Sequence, residues 1–199
     1  MAVADFDAQL ARDDKNKDGK ISEAELSDPL AKRYFVFEDI NHDGALDREE
    51  WRLYALTMAA ENGLLAIRAG GKGDRSASAI VWKYHKSIPQ LPSTLLYGRV
   101  LYMLSDSGVL TTLDPTTGTA LKQGRLRGVA DRYFASPVAA AGKVFIVSMA
   151  GVVTVLEAGA DQKILAVNEL DDEVFATPAI AGDRLFVRTR SALYCFGGK

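Results

Sequence analysis

The sequence predicts an α+β protein of two domains, a helical unit over residues 1–62 and a unit of repeated antiparallel strands over 63–199. Three observations predict it. Charge is divided unevenly, with fifteen acids against eight bases in 1–62 and eleven against sixteen in 63–199. An acidic, glycine-containing loop occurs twice in the first segment, beginning at Asp14 and again at Asp39. From Ile80 onward helical spacing gives way to short apolar strands separated by glycine turns, and their landmarks return every 41 to 44 residues.

The first loop alternates Asp14, Asn16 and Asp18, then runs through Gly19, Lys20, Ser22 and Glu25. The second alternates Asp39, Asn41 and Asp43, then runs through Gly44, Ala45, Asp47 and Glu50. Alternate residues of a tightly curled loop point inward, so three side-chain oxygens converge. A glycine at the sharp turn tolerates positive φ. A backbone carbonyl follows, from Lys20 or Ala45, then Ser22 or Asp47 directly or through water, and a glutamate closes the shell with two oxygens. Both loops match the twelve-residue EF-hand pattern at every diagnostic position. Such a shell suits calcium better than the smaller, strictly octahedral magnesium, so two calcium ions are expected. The second loop carries four carboxylates against three in the first, and tighter binding is expected there.

The flanking segments read as helices. Phe6 and Leu10 supply an apolar face to the first. Asp28 caps a second that begins at Pro29 and contacts the core through Leu30, Tyr34, Phe35 and Phe37. Trp51, Leu53, Tyr54, Leu56 and Met58 serve the last. Ile21 and Leu46 stand where paired EF-hand loops join by a short strand contact, and the whole resembles the compact EF-hand pair of many bacterial proteins. A calcium sensor opens a groove, often rich in methionine. Here only Met58 lies near the helices besides the initiator, and the linker is short, so a structural calcium unit is expected.

In the second segment Ser93, Ser136 and Thr177 mark three repeats, as do Val100, Val144 and Leu185. VLYML, VFIVS and LFVRT read as central strands, followed by VLTTLD, VVTVLE and ALYCF. Outermost strands are expected in IVWKYH before the first repeat, TALKQGRL before the second and KILAVNEL before the third. The run SDSGVLTTLDPTTG resembles the quinoprotein-like (PQQ-like) propeller repeat, in which a strand ends in Leu-Asp followed by a Thr-Gly turn. Glu157 and Phe196 stand where that Asp would be in the later repeats. GLLAIRAGG, upstream, resembles an outer strand and places the EF-hand pair in or just before an incomplete blade. About three antiparallel blades are thus expected. A closed propeller typically has at least four. Two accounts follow from this: a C-terminal slice of a longer protein, which we favour, or several chains completing one ring. Either way exposed sheet edges favour self-association or a protein partner.

Composition excludes several roles. The bases of 63–199 are scattered, so no nucleic-acid partner is expected. The longest uncharged apolar run, Val144–Leu156, is too short to span a bilayer and contains Gly151. Cys195 is the single cysteine, which leaves the redox compartment open and rules out an internal disulfide. The N-terminus lacks signal-peptide features. The expectation is a cytosolic protein, or an extracytoplasmic one if a secretion signal lies outside this sequence.

No residue set supports catalysis. The adjacent cysteine pair of many quinoprotein alcohol dehydrogenases is impossible with one cysteine. His85 reads as a strand-end surface residue, His42 as solvent-facing within its loop and Cys195 as core. Trp82 and Tyr84 read as blade packing, and Asp171, Asp172 and Glu173 as a solvated loop. The reading is a calcium-binding protein whose propeller segment is a scaffold or protein-interaction surface. The alternative is a fragment of a quinoprotein-like oxidoreductase in which calcium is structural.

Overall fold

The structure, a computed structural model, describes residues 3–76, 78–126 and 131–197. The chain divides into two compact units, Met1–Glu61 and Asn62–Lys199.

The first unit is built from three capped helices and one short strand pair. Helix α1 (Phe6–Asp13) starts at Asp5, whose carboxylate accepts the Asp7 amide. Helix α2 (Pro29–Glu38) starts at Asp28, which accepts the Leu30 and Ala31 amides, with Pro29 in the first turn where no amide donor is needed. Helix α3 (Arg48–Ala59) opens with a capping box, in which Asp47 and Glu50 satisfy each other's backbone amides. Between the helices, β1 (Ile21–Ser22) pairs antiparallel with β2 (Ala45–Leu46), setting Ile21 opposite Leu46. Both side chains are fully buried, with Phe6, Leu26, Ala31, Phe35, Trp51 and Tyr54 around them. The Trp51 indole donates to the Ala4 carbonyl at 2.8 Å, which anchors the start of the chain on α3.

Three apolar residues assigned to this core lie outside it. Leu30 is 44% exposed, Phe37 75% and Leu56 55%. Ala31 and Phe35 are one turn apart and claim the inward stripe of α2. At about 100° per residue, Phe37 is then carried round to the opposite side.

Among the described residues, the strands of the second unit pair antiparallel throughout. Strand β3 (Leu64–Ile67) pairs with β4 (Ile80–Tyr84). A four-stranded sheet follows in the order β5 (Leu95–Tyr97), β6 (Val100–Leu104), β7 (Val109–Leu113), β8 (Ala120–Arg125). The next repeats it with β9 (Val138–Ala140), β10 (Lys143–Val147), β11 (Val152–Glu157) and β12 (Ile164–Glu169). The last has β13 (Ala179–Ala181), β14 (Arg184–Arg188) and β15 (Leu193–Gly197). The central strands fall within a residue of their predicted positions. The apolar runs of β6 and β11 follow from burial on both faces, whereas β12 is exposed throughout.

Three outer-strand assignments change, those of β4, β8 and β12; β4 pairs with β3 before it and not with the sheet that follows. Strands β8 and β12 pair with β7 and β11, which precede them, so each outer strand closes the sheet before it. The reason is local. Gly118, at φ +71°, completes a tight turn whose amide returns to the Asp114 carbonyl at 2.9 Å, and the chain doubles back directly. GLLAIRAGG contributes β3, which pairs with β4 in a two-stranded sheet of its own.

The repeat landmarks have a physical role. The Ser93 amide donates to the Ser136 hydroxyl at 2.8 Å, and the Ser136 amide to the Thr177 hydroxyl at 3.0 Å. One hydroxyl per repeat thus ties each sheet to the next. Between the first two full sheets the core gathers Tyr102, Leu104, Leu110, Val144, Ile146 and Leu156. The Tyr102 hydroxyl there accepts the Gly159 amide at 2.7 Å.

Candidate metal centre

The two acidic loops fold onto their own amides in the same way. In the first, Asp14 accepts the Gly19 amide at 3.0 Å, and in the second Asp39 accepts the Gly44 amide at 3.0 Å. Asn16 accepts from the Asp18 amide at 2.9 Å, and Asn41 from the Asp43 amide at 2.8 Å. Asp18 accepts the Lys20 amide and Asp43 the Ala45 amide. Gly19 and Gly44 adopt φ of +81° and +87°, which lets each loop reverse without strain. Lys17 and His42 share a further left-handed position, and His42 is exposed.

Glu25 and Glu50 close the loops. One oxygen of Glu25 accepts the Lys15 and Asn16 amides, and the other accepts the Ser22 amide at 2.9 Å and hydroxyl at 2.7 Å. Glu50 accepts the Ile40, Asn41 and Asp47 amides. The Ser22 hydroxyl, then its amide, hold the Glu25 carboxyl below its usual value.

One contact crosses from the first loop to the second. The Lys20 ammonium bonds the Asp43 carboxylate of the other loop. That bond raises the Lys20 pKa and lowers that of Asp43.

Among the described residues no group of three or more His, Cys, Asp or Glu is drawn together closely enough to hold a metal ion. The carboxylates are turned onto amides and, for Asp43, onto Lys20. The donor set itself fits a hard divalent cation: every donor is an oxygen, and the glycines and strand pair supply the loop shape.

Asp13 is a buried carboxylate beside the first loop that the loop pattern does not single out. It is 1% exposed and accepts from the Gln9 side chain at 2.6 Å and the Ser27 amide at 2.8 Å, joining the entry of the first loop to its exit. Burial pushes its carboxyl up, but the Ser27 and Gln9 hydrogen bonds together hold it below the usual value.

In the second unit the Trp82 indole donates to the Pro115 carbonyl at 3.0 Å, and the Tyr84 hydroxyl accepts from Gln123. His85 is exposed, with Nδ1 3.3 Å from the Asn62 carbonyl. Asp172 accepts the Ser191 hydroxyl at 2.6 Å and Glu173 pairs with Arg190 at 3.1 Å, so this acidic segment fastens a turn. Cys195 is exposed rather than core, because β15 is the edge of its three-stranded sheet. Among the described residues no helix is long and apolar enough to cross a membrane.

Two helix–loop–helix segments joined through paired loops, followed by repeated antiparallel sheets, define a protein that combines an EF-hand pair with a propeller-like repeat domain. The EF-hand family model matches residues 11–31 and 32–53. The model described as outer membrane protein assembly factor BamB matches residues 44–197, and the chain belongs to that family. No curated protein matches the chain. Among solved structures, BamB from Moraxella catarrhalis is similar at 21% identity and a TM-score of 0.53, over 69% of this chain and 40% of that one. A europium-containing methanol dehydrogenase matches at 16% identity and a TM-score of 0.38, over 45% of this chain and 19% of that one. The quinohemoprotein alcohol dehydrogenase ADHIIG from Pseudomonas putida HK5 matches at 14% identity and 0.46, over 55% and 24%. This chain thus spans about 40% of the length of the BamB structure, and the likeness establishes an α+β, propeller-like fold.

Proposed function

We propose that the chain binds two calcium ions through its EF-hand pair, residues 1–62, and that residues 63–199 form a scaffold or protein-interaction surface. The first ion takes Asp14, Asn16, Asp18, the Lys20 carbonyl, Ser22 and Glu25. The second takes Asp39, Asn41, Asp43, the Ala45 carbonyl, Asp47 and Glu50. The observation that carries this reading is the position-by-position match of the two loops. In both, the first aspartate accepts the glycine amide and the last glutamate spans both ends of the loop. Calcium supplies the positive charge that lets several carboxylates lie together. The residues contribute the oxygens, and the β1–β2 pairing holds the loops side by side. With Ile21 and Leu46 locked in one core, the ions serve to brace the unit rather than to open it.

The sheets of 63–199 act as about three blades of an incomplete propeller. Internal comparison supports this. Leu193 and Phe196 occupy the same register as Leu110 and Leu113 of β7, yet they are 65% and 44% exposed where those are fully buried. An outer strand and a neighbouring sheet would cover them. The family's description as an assembly factor accords with a surface that works by contact.

Calorimetric titration tests the calcium sites. The wild type is expected to bind two ions, and Glu25→Gln and Glu50→Gln one each; unperturbed isotherms in both variants would refute the assignment. Sedimentation velocity tests the edge. Self-association that Leu193→Lys abolishes supports it, and a concentration-independent monomer argues against it.

A further inference from the structure

We propose that Lys20 acts as a built-in competitor for the second calcium loop and cancels the affinity advantage of its fourth carboxylate. This rests on the calcium reading above. The contact is asymmetric. Lys20 occupies the seventh position of the first loop, where only the backbone carbonyl faces a bound ion, so its side chain is free to leave the loop that carries it. It reaches across the β1–β2 pair to the Asp43 carboxylate, a ligand of the other ion. Its counterpart in the second loop is Ala45, which returns no charge to the first.

The ammonium belongs electrostatically to the second loop. Asp43 interacts with it most strongly, and Asp47 and Glu50 add to the same attraction. The ammonium contacts Asp43 alone, and Asp43 is the carboxylate a second ion would have to share. The first loop brings three carboxylates, Asp14, Asp18 and Glu25. The second brings four, one of which, Asp43, is paired with Lys20. A calcium ion entering the second loop must displace the ammonium from Asp43 or bind beside it against repulsion. The two sites are thus levelled in charge, and the stronger second site expected from carboxylate count alone does not emerge. The pair is partly exposed, with side chains 40% and 36% accessible, so solvent and salt weaken the effect without abolishing it.

Titrations in a Glu25→Gln background, where the first loop is disabled, isolate the second. Adding Lys20→Met there should tighten calcium binding by about two- to five-fold at low ionic strength, the range set by an exposed ion pair. The gain should shrink in about 0.5 M KCl, where the screening length falls to a few ångström. Lys20→Arg, which keeps the charge, should recover less than half of it. An unchanged or weaker affinity with Lys20→Met overturns the competitor role alone. Failure of the wild-type chain to bind calcium overturns the calcium reading, a separate result from the first.

Discussion

Leu46→Ala tests whether the strand pair between the loops is the keystone of the helical unit. Leu46 is fully buried, sits opposite the equally buried Ile21, and joins a core that includes Trp51 and Tyr54. Truncation removes three carbons and leaves a cavity bounded by a strand on one side and helices on the other. Such a site collapses poorly, and the expected cost is about 2–5 kcal/mol. A unit the size of Met1–Glu61 has roughly 3–9 kcal/mol of stability in all, so the loss is about half. With a urea slope of about 1 kcal/mol/M for a small unit, the midpoint falls by roughly 2–5 M. Trp51 reports this unit and Trp82 the other, so a Trp82→Phe background leaves Trp51 emission as the readout. Leu56→Ala is the control: Leu56 is 55% exposed, and its cost should stay within about 0.5 kcal/mol. Equal midpoints for Leu46→Ala and Leu56→Ala would refute the argument.

Three further outcomes are expected. Asp28→Ala removes the acceptor for the Leu30 and Ala31 amides and should cost the helical unit about 0.5–2 kcal/mol, measured by thermal unfolding followed by circular dichroism. Gly118→Ala places a Cβ 2.5 Å from the Trp82 ring at a φ of +71°, so it should cost the sheet unit about 1–3 kcal/mol and shift Trp82 emission to the red; an unchanged spectrum would count against this packing. The Asp172 carboxyl is held well below its usual value by the Ser191 hydroxyl first, then by the Thr189 hydroxyl and the Ser191 amide. A lowered folded value contributes stability above the unfolded value of about 3.9 and loses it only as pH falls through the folded one. The protection of the Ser191 amide, measured against the exchange rate of the unfolded chain at the same pH, should therefore persist at about pH 3, below that unfolded value, and Asp172→Asn should reduce it already at neutral pH.

Much of this protein is written in short stretches of chain. Loop spacing, glycine turns and Asx caps act over a few residues, so the two EF-hand loops, the start of α2 at Asp28 and the central strands of each repeat are legible without the fold. The 41- and 43-residue intervals between Ser93, Ser136 and Thr177 are legible too, although the hydrogen bonds they make are not. Tertiary structure decided what depends on distant neighbours. The turn at Gly118 is a local choice that sends β8 back onto β7, but residue order leaves two edges open until the turn's geometry is known. Apolar character placed Phe37 and Cys195 in a core, but burial requires a partner surface: Phe37 lies round the helix from the stripe that has one, and Cys195 lies on an open edge. The doublet Asp13–Asp14 looks uniform, yet one carboxylate is sealed between Gln9 and Ser27 while the other receives its own loop's amides. The bond from Lys20 to Asp43 arises only when two strands 23 residues apart are laid side by side, bringing a cation to carboxylates that local pattern assigns to a different ion.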